Sequence, residues 1–199
     1  MKSNMSRLII SAALLWSGIN IAPAVAPLTT LVSNLPPVTD MQDDWQLGPY
    51  LLQSFTTGAG ATLTTLKIGS SWTLDNSPTV SLLDSGRNLV ASFVYNYNSV
   101  GVNYSVQGGS FALQGSSTYF VQLAGGSGYL NVTTTPTEIG LPSWTIGNGF
   151  FIGSDSSAST QSSQIMQFSL SGVPEPSALS LIALGLGGLA MIRRRRSRA

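Results

Sequence analysis

The stretch TVSLLDSGRNLVASFVYNY, residues 79–97, decides the fold because two apolar runs flank one short polar connection. Residues 79–83 and 89–94 are rich in β-branched and aromatic side chains, as strands are. The connection DSGR at 84–87 contains a glycine, which supplies the positive backbone angle that a tight turn needs. The stretch therefore predicts a β-hairpin.

Short runs of the same kind recur on both sides of this hairpin, and no segment shows sustained helical periodicity. About nine or ten strands at this spacing predict an all-β fold, a single jelly-roll-like antiparallel β-sandwich over residues 50–172. The further strands are expected at residues 51–56, 62–68, 102–107, 118–123, 129–133, 150–152 and 164–170. The alternation places these side chains inward: Phe55, Leu63, Ile68, Val80, Leu82, Phe93, Tyr119, Val121, Leu123, Phe168 and Leu170.

The composition excludes most catalytic chemistry, since the 199 residues contain no His and no Cys, and only 9% are charged. The chain therefore lacks an imidazole base, a thiolate nucleophile and a nitrogen or sulfur ligand set for a transition metal. We expect no enzyme, no catalytic residues and no cofactor. Residues 25–172 hold two basic and seven acidic residues, so this acidic body should repel nucleic acid.

The amino end has the layout of a secretory signal peptide. Lys2 and Arg7 precede an apolar run over residues 8–21, which is followed by small residues. We expect the secretion machinery to export the chain and cleavage to follow Ala24, which makes residues 1–24 the signal peptide. Residues 25–49 then form a polar, proline-bearing lead-in segment. The alternative is a retained membrane anchor.

The carboxyl end has the layout of a second targeting device. The sequence VPEPS at 173–177 precedes fifteen uncharged residues, 178–192, which span about 22 Å as a helix. With its flanks this run predicts a short transmembrane helix in the inner membrane. A basic cluster at its end should stay on the cytoplasmic side. The cluster consists of Arg193, Arg194, Arg195, Arg196 and Arg198.

The tripeptide Pro174-Glu175-Pro176, the short apolar run and the terminal arginines together resemble the PEP-CTERM sorting signal of exported bacterial proteins, over residues 173–199. The resemblance implies that an exosortase, a membrane cysteine transpeptidase or protease, recognises the tripeptide and removes the helix and tail. The chain is then a substrate with a transient inner-membrane tether. The alternative is a permanent single-span anchor.

The body is similar to the choice-of-anchor β-sandwich domains, most closely to type R. The similar segments are DDWQ at 43–46, QSFTTG at 53–58, TVSL at 79–82, YFVQL at 119–123 and WTIG at 144–147. This resemblance implies the fold and assigns no catalytic residue.

Two groups of side chains are candidate binding sites. Tyr95, Tyr97 and Tyr104 could stack against sugar rings, or they could cover the margin of the core. Asp40, Asp43 and Asp44 are weak calcium candidates, because three carboxylates leave the coordination shell incomplete.

We therefore expect an exported, non-catalytic protein that is tethered to the inner membrane and then reaches the envelope surface or the extracellular matrix. Its expected partner there is exopolysaccharide in a biofilm. The alternatives are a secreted carbohydrate-binding module and a glycoside-active enzyme that uses two of the carboxylates.

Overall fold

The computed structural model describes residues 27–35, 43–46, 50–70, 78–97, 102–126, 129–134, 138–153 and 160–176. These ranges contain fifteen strands and no helix, which confirms the predicted all-β class. No segment within them is a helix suited to crossing a bilayer. The strands are β1 Thr29–Ser33, β2 Asp43–Gln46, β3 Tyr50–Thr56, β4 Ala61–Ile68, β5 Thr79–Leu83, β6 Leu89–Tyr97, β7 Val102–Val106, β8 Phe111–Leu113, β9 Thr118–Ala124, β10 Tyr129–Thr133, β11 Ile139–Gly140, β12 Thr145–Ile152, β13 Thr160–Gln161, β14 Ile165–Met166 and β15 Phe168–Pro174.

One antiparallel sheet of twelve strands curls so that its two halves share a core. One half contains β11, β1, β15, β4, β8 and β7, and the other contains β5, β9, β3, β12 and β13. The order is β11-β1-β15-β4-β7-β6-β5-β9-β3-β12-β13, and β8 pairs with β4 beside this path. Strand β6 joins the halves, because its first part pairs with β5 and its last part with β7. A separate sheet has the order β14-β10-β2.

The core lies between the two halves of the curled sheet. The ring of Phe55 on β3 lies 6.3 Å from the ring of Phe168 on β15, and it stacks on Trp144 at 6.3 Å and on Tyr119 at 5.8 Å. These contacts join both halves through one aromatic cluster. All eleven side chains that the alternation placed inward are buried in this core, which confirms that prediction.

The predicted hairpin is confirmed, because β5 and β6 pair on either side of the connection at residues 84–88. The positive backbone angle, however, falls on Arg87 (φ 63°) and not on Gly86. Asp84 closes the turn by accepting hydrogen bonds from the backbone N–H of Asn88 at 2.9 Å and from its side-chain amide. These bonds lower the pKa of Asp84, so the turn favours the charged carboxylate.

Strand β1 forms within the segment that the sequence presents as a polar lead-in. Residues Thr29–Ser33 pair with β15 on one side and with β11 on the other. Leu31 and Val32 are buried in the core. Asn34, just after the strand, is also buried and bonds to the backbone of Met166 and Phe168. The lead-in therefore supplies one strand of the curled sheet.

The register places several strand termini at one end of the body, which we call the exit end. There the last residue of β15, Pro174, lies beside the first residue of β4, Ala61, which also faces Leu113 of β8. The first residue of β1, Thr29, faces Gly172. At the opposite end of the sheet the last residue of β4, Ile68, faces the first residue of β7, Val102.

Candidate functional site

The predicted sorting tripeptide begins on the last strand of the body. Pro174 ends β15 and pairs with Ala61, while Glu175 donates its backbone N–H to the carbonyl oxygen of Gly60 at 3.0 Å. Pro174 is half-buried, and Glu175 and Pro176 are exposed. The tripeptide is therefore attached to the folded body through two of its three residues.

The side chain of Glu175 folds back over Gly60. A Cβ atom added to Gly60 would lie 2.5 Å from the Oε2 atom of Glu175 and 3.2 Å from the carbonyl oxygen of Leu113. Only a residue without a side chain leaves room for this carboxylate. Gly60 thus permits the observed position of the motif's one acidic group.

The loop that receives the tripeptide is held by a second turn. Thr57 is buried, and its hydroxyl donates to the carbonyl oxygens of Gln114 (2.7 Å) and Ser117 (3.1 Å). The same hydroxyl accepts the backbone N–H of Ser117 at 2.9 Å. Ser116 donates its N–H to the carbonyl oxygen of Gly58 at 2.8 Å. We call the loop 57–60 and the turn 114–117 together the Gly60 platform.

The sequence alone does not reveal this platform. Its glycines and its threonine are ordinary loop residues in the sequence, and only the folding of β4 beside β8 and β15 brings them to the tripeptide. The sequence signal that was available is the spacing of three small residues, Gly58-Ala59-Gly60, before a strand.

The predicted membrane elements lie outside the described residues. These are the signal peptide at residues 1–24, the apolar run at 178–192 and the basic anchor of Arg193, Arg194, Arg195, Arg196 and Arg198. Their assignments stay predictions.

The tyrosine candidates are only partly available to a ligand. Tyr95 pairs with Tyr104 across β6 and β7, and their rings meet edge to face at 5.7 Å. Tyr104 is only 1% exposed and belongs to the core, while Tyr95 is half-buried against it. The backbone of Tyr97 ends β6, but its side chain lies outside the described part of the chain. The rings of Tyr95 and Tyr104 thus pack on the core, and glycan binding by these tyrosines stays a prediction.

Tyr104 offers a test of this packing role. Its buried hydroxyl has no hydrogen-bond partner among the described residues, and burial, with a smaller effect of Tyr95, raises the pKa of Tyr104. We expect Tyr104→Phe to raise the free energy of unfolding by about 1 kcal/mol, because it removes an unsatisfied polar atom. Urea unfolding monitored by tryptophan fluorescence measures the change.

The matched control is Tyr119→Phe, at another buried tyrosine. The hydroxyl of Tyr119 accepts the backbone N–H of Gln114 at 3.0 Å, so its loss should lower the free energy of unfolding by about 1 kcal/mol. If both variants lower the free energy of unfolding by the same amount, the hydroxyl of Tyr104 is not unsatisfied.

The structure does not describe the side chains of the three calcium candidates. Asp40 lies outside the described residues, and Asp43 and Asp44 lie on β2, where their backbones pair with β10 and their side chains are not described. Glu138 accepts the backbone N–H of Ile146 at 2.9 Å and so has a structural partner. Within the described ranges, no three acidic residues come close enough to hold a metal ion.

Comparison with known proteins identifies the carboxyl end. Residues 172–196 match the family described as the PEP-CTERM protein-sorting motif. No curated protein matches the chain. The match begins at Gly172, inside β15, and includes the tripeptide attached to the Gly60 platform. The motif implies that this is an exported protein, anchored in the membrane and sorted by an exosortase.

Proposed function

We propose that this chain is a non-catalytic component of the cell surface or the extracellular matrix that an exosortase releases from the inner membrane. The match of residues 172–196 to the sorting motif is the observation that carries the proposal. The position of Glu175 and Pro176 supports it, because both are exposed at the end of the body and outside the core.

In this proposal the body is a choice-of-anchor type R domain with a jelly-roll-like sandwich fold. The shared core between the two halves of the curled sheet is compatible with that interpretation. The terminal arginines hold the apolar run in the inner membrane with the body outside, by the positive-inside rule. After processing, the acidic body associates with exopolysaccharide of the biofilm matrix.

The test is the intact mass of the protein from a host with an exosortase and from the same host without it. We expect loss of the apolar run and the arginines only when the enzyme is present. Glu175→Ala should leave the chain uncut, and Glu175→Asp should restore part of the cutting because it restores the carboxylate. A protein that still ends at Ala199 in the enzyme-containing host would overturn the proposal.

The non-catalytic role and the matrix partner have their own test. The protein should migrate more slowly in affinity gels that contain the host's exopolysaccharide than in gels without polysaccharide. Release of reducing sugar from the same polymer would instead favour the glycoside-active enzyme.

A further inference from the structure

The tripeptide has a single backbone donor, and the body already uses it. Proline lacks a backbone N–H, so Pro174 and Pro176 have none to donate. The N–H of Glu175 bonds to Gly60 at 3.0 Å. An enzyme that binds the tripeptide in this state can contact its side chains and carbonyl oxygens, but no free N–H.

The side chains of the attached tripeptide are accessible. Glu175 and Pro176 are exposed, and Pro174 is half-buried. The two prolines restrict their own φ angles, and the bond to Gly60 holds the residue between them. The body therefore presents the motif in one conformation, which reduces the conformational entropy that binding would otherwise cost.

The Gly60 platform must also come close to the membrane. Ala178, where the apolar run begins, comes three positions after Glu175, so a fully extended chain covers at most about 11 Å. An enzyme within the bilayer that reaches the tripeptide therefore meets the surface of the body beside it. That surface is the exit end, where the platform lies.

We infer that the exosortase recognises the tripeptide while it is attached to the Gly60 platform, and that the platform forms part of the surface the enzyme contacts. This inference rests on the proposed function. It makes Gly60 and Thr57 positioning residues for processing, although neither belongs to the sorting motif.

The first test changes the platform and leaves the tripeptide intact. In Gly60→Ala the new methyl group displaces the Glu175 carboxylate, and in Thr57→Val the loop keeps its backbone bonds to the turn 114–117 but loses those of the Thr57 hydroxyl. We expect both variants of the full chain to be processed about ten-fold more slowly in a pulse-chase experiment, if the platform supplies about 1.4 kcal/mol of recognition. The control is Gly125→Ala, at a positive φ of 70° after β9, where an added Cβ meets no atom within 4 Å.

The second test locks the end of β15, the residue just before the tripeptide, on the body. Val173 on β15 faces Thr62 on β4, and paired residues in antiparallel strands lie close enough for a disulfide. The chain has no native cysteine, so Thr62→Cys with Val173→Cys allows only the intended pairing. We expect the oxidised variant to be processed at least as fast as the wild-type chain. The control pair is Lys67→Cys with Ser169→Cys, on the same two strands but away from the tripeptide.

Two outcomes would overturn the inference. One is a wild-type rate in Gly60→Ala, and the other is arrest of the Thr62–Val173 disulfide variant that reductant reverses, which would show that the end of β15 with the tripeptide must detach first. Cutting of the wild-type chain in a host without exosortase would instead overturn the proposed function. The disulfide test remains decisive if Gly60→Ala fails to fold.

Discussion

Replacing Gly172 with valine should lower the free energy of unfolding of the chain by about 3 kcal/mol or more. Gly172 is buried on β15, at a register shift between Ser171 and Gly172. An added Cβ atom would collide with the backbone carbonyl oxygen of Thr62 and lie 3.0 Å from the Cδ1 atom of Leu31. Because β15 is held between β1 and β4, the strand cannot move away from that carbonyl.

The measurement is urea unfolding of the purified full chain in mild detergent, monitored by tryptophan fluorescence, since Trp144 is buried against Phe55. Gly86→Val is the matched control. An added Cβ there meets only the side chains of Asn88 and Asp84, at 3.0 and 3.2 Å, and both can move. We expect the free energy of unfolding of the control to fall by less than about 1 kcal/mol, since surface substitutions usually have small effects. Equal unfolding midpoints for the two variants would contradict the assigned collision.

Gln53→Leu should lower the free energy of unfolding by about 3 kcal/mol, because it leaves buried backbone groups without partners. Gln53 is 1% exposed. Its Oε1 atom accepts the backbone N–H of Met166 at 3.1 Å, and its Nε2 atom donates to the carbonyl oxygen of Gly147 at 2.9 Å. Gly147 lies where the register of β12 against β3 shifts between Ile146 and Phe150. One side chain thus joins three strands, β3, β12 and β14.

The same unfolding measurement applies to this prediction. Leucine fills a similar volume, so the loss reflects the unpaired N–H and carbonyl groups and not a cavity. Gln107→Leu is the control, because Gln107 is exposed after β7 and should change stability by less than about 0.5 kcal/mol. A stable Gln53→Leu chain would show that the irregular part of β12 does not depend on this amide.

Much of the fold follows from local patterning. The alternation of apolar residues predicts the hairpin and the inward side chains, because the period of a strand is two and the core selects one face. Gln53 is in phase with Leu51 and Phe55 on β3, so the sequence does contain a signal for its burial. The pattern does not show which backbone groups such a residue satisfies, because those groups come from distant strands.

The features that local patterning did not reveal are those that depend on distant pairing. β1 is short and follows a proline, so its pattern alone does not distinguish it from a loop. Its place beside β15 is decided by residues about 140 positions later in the chain. The sorting motif could be predicted because its tripeptide, apolar run and basic cluster follow one another directly in the sequence. Its attachment to Gly60 could not, since that contact needs the folded body.

The position of β15 between β1 and β4 has a consequence for the order of translocation. An exported chain emerges amino end first, so β1 and β4 reach the far side of the membrane long before residues 168–174. Until the last strand inserts, β1 has no partner on that side and the sheet keeps an open gap. Such long-range pairing is slow to form, and here it must wait for nearly the whole chain. The native sheet is therefore completed only after residues 168–174 have crossed, so the part of the body that is already outside lacks its last strand until export is nearly finished.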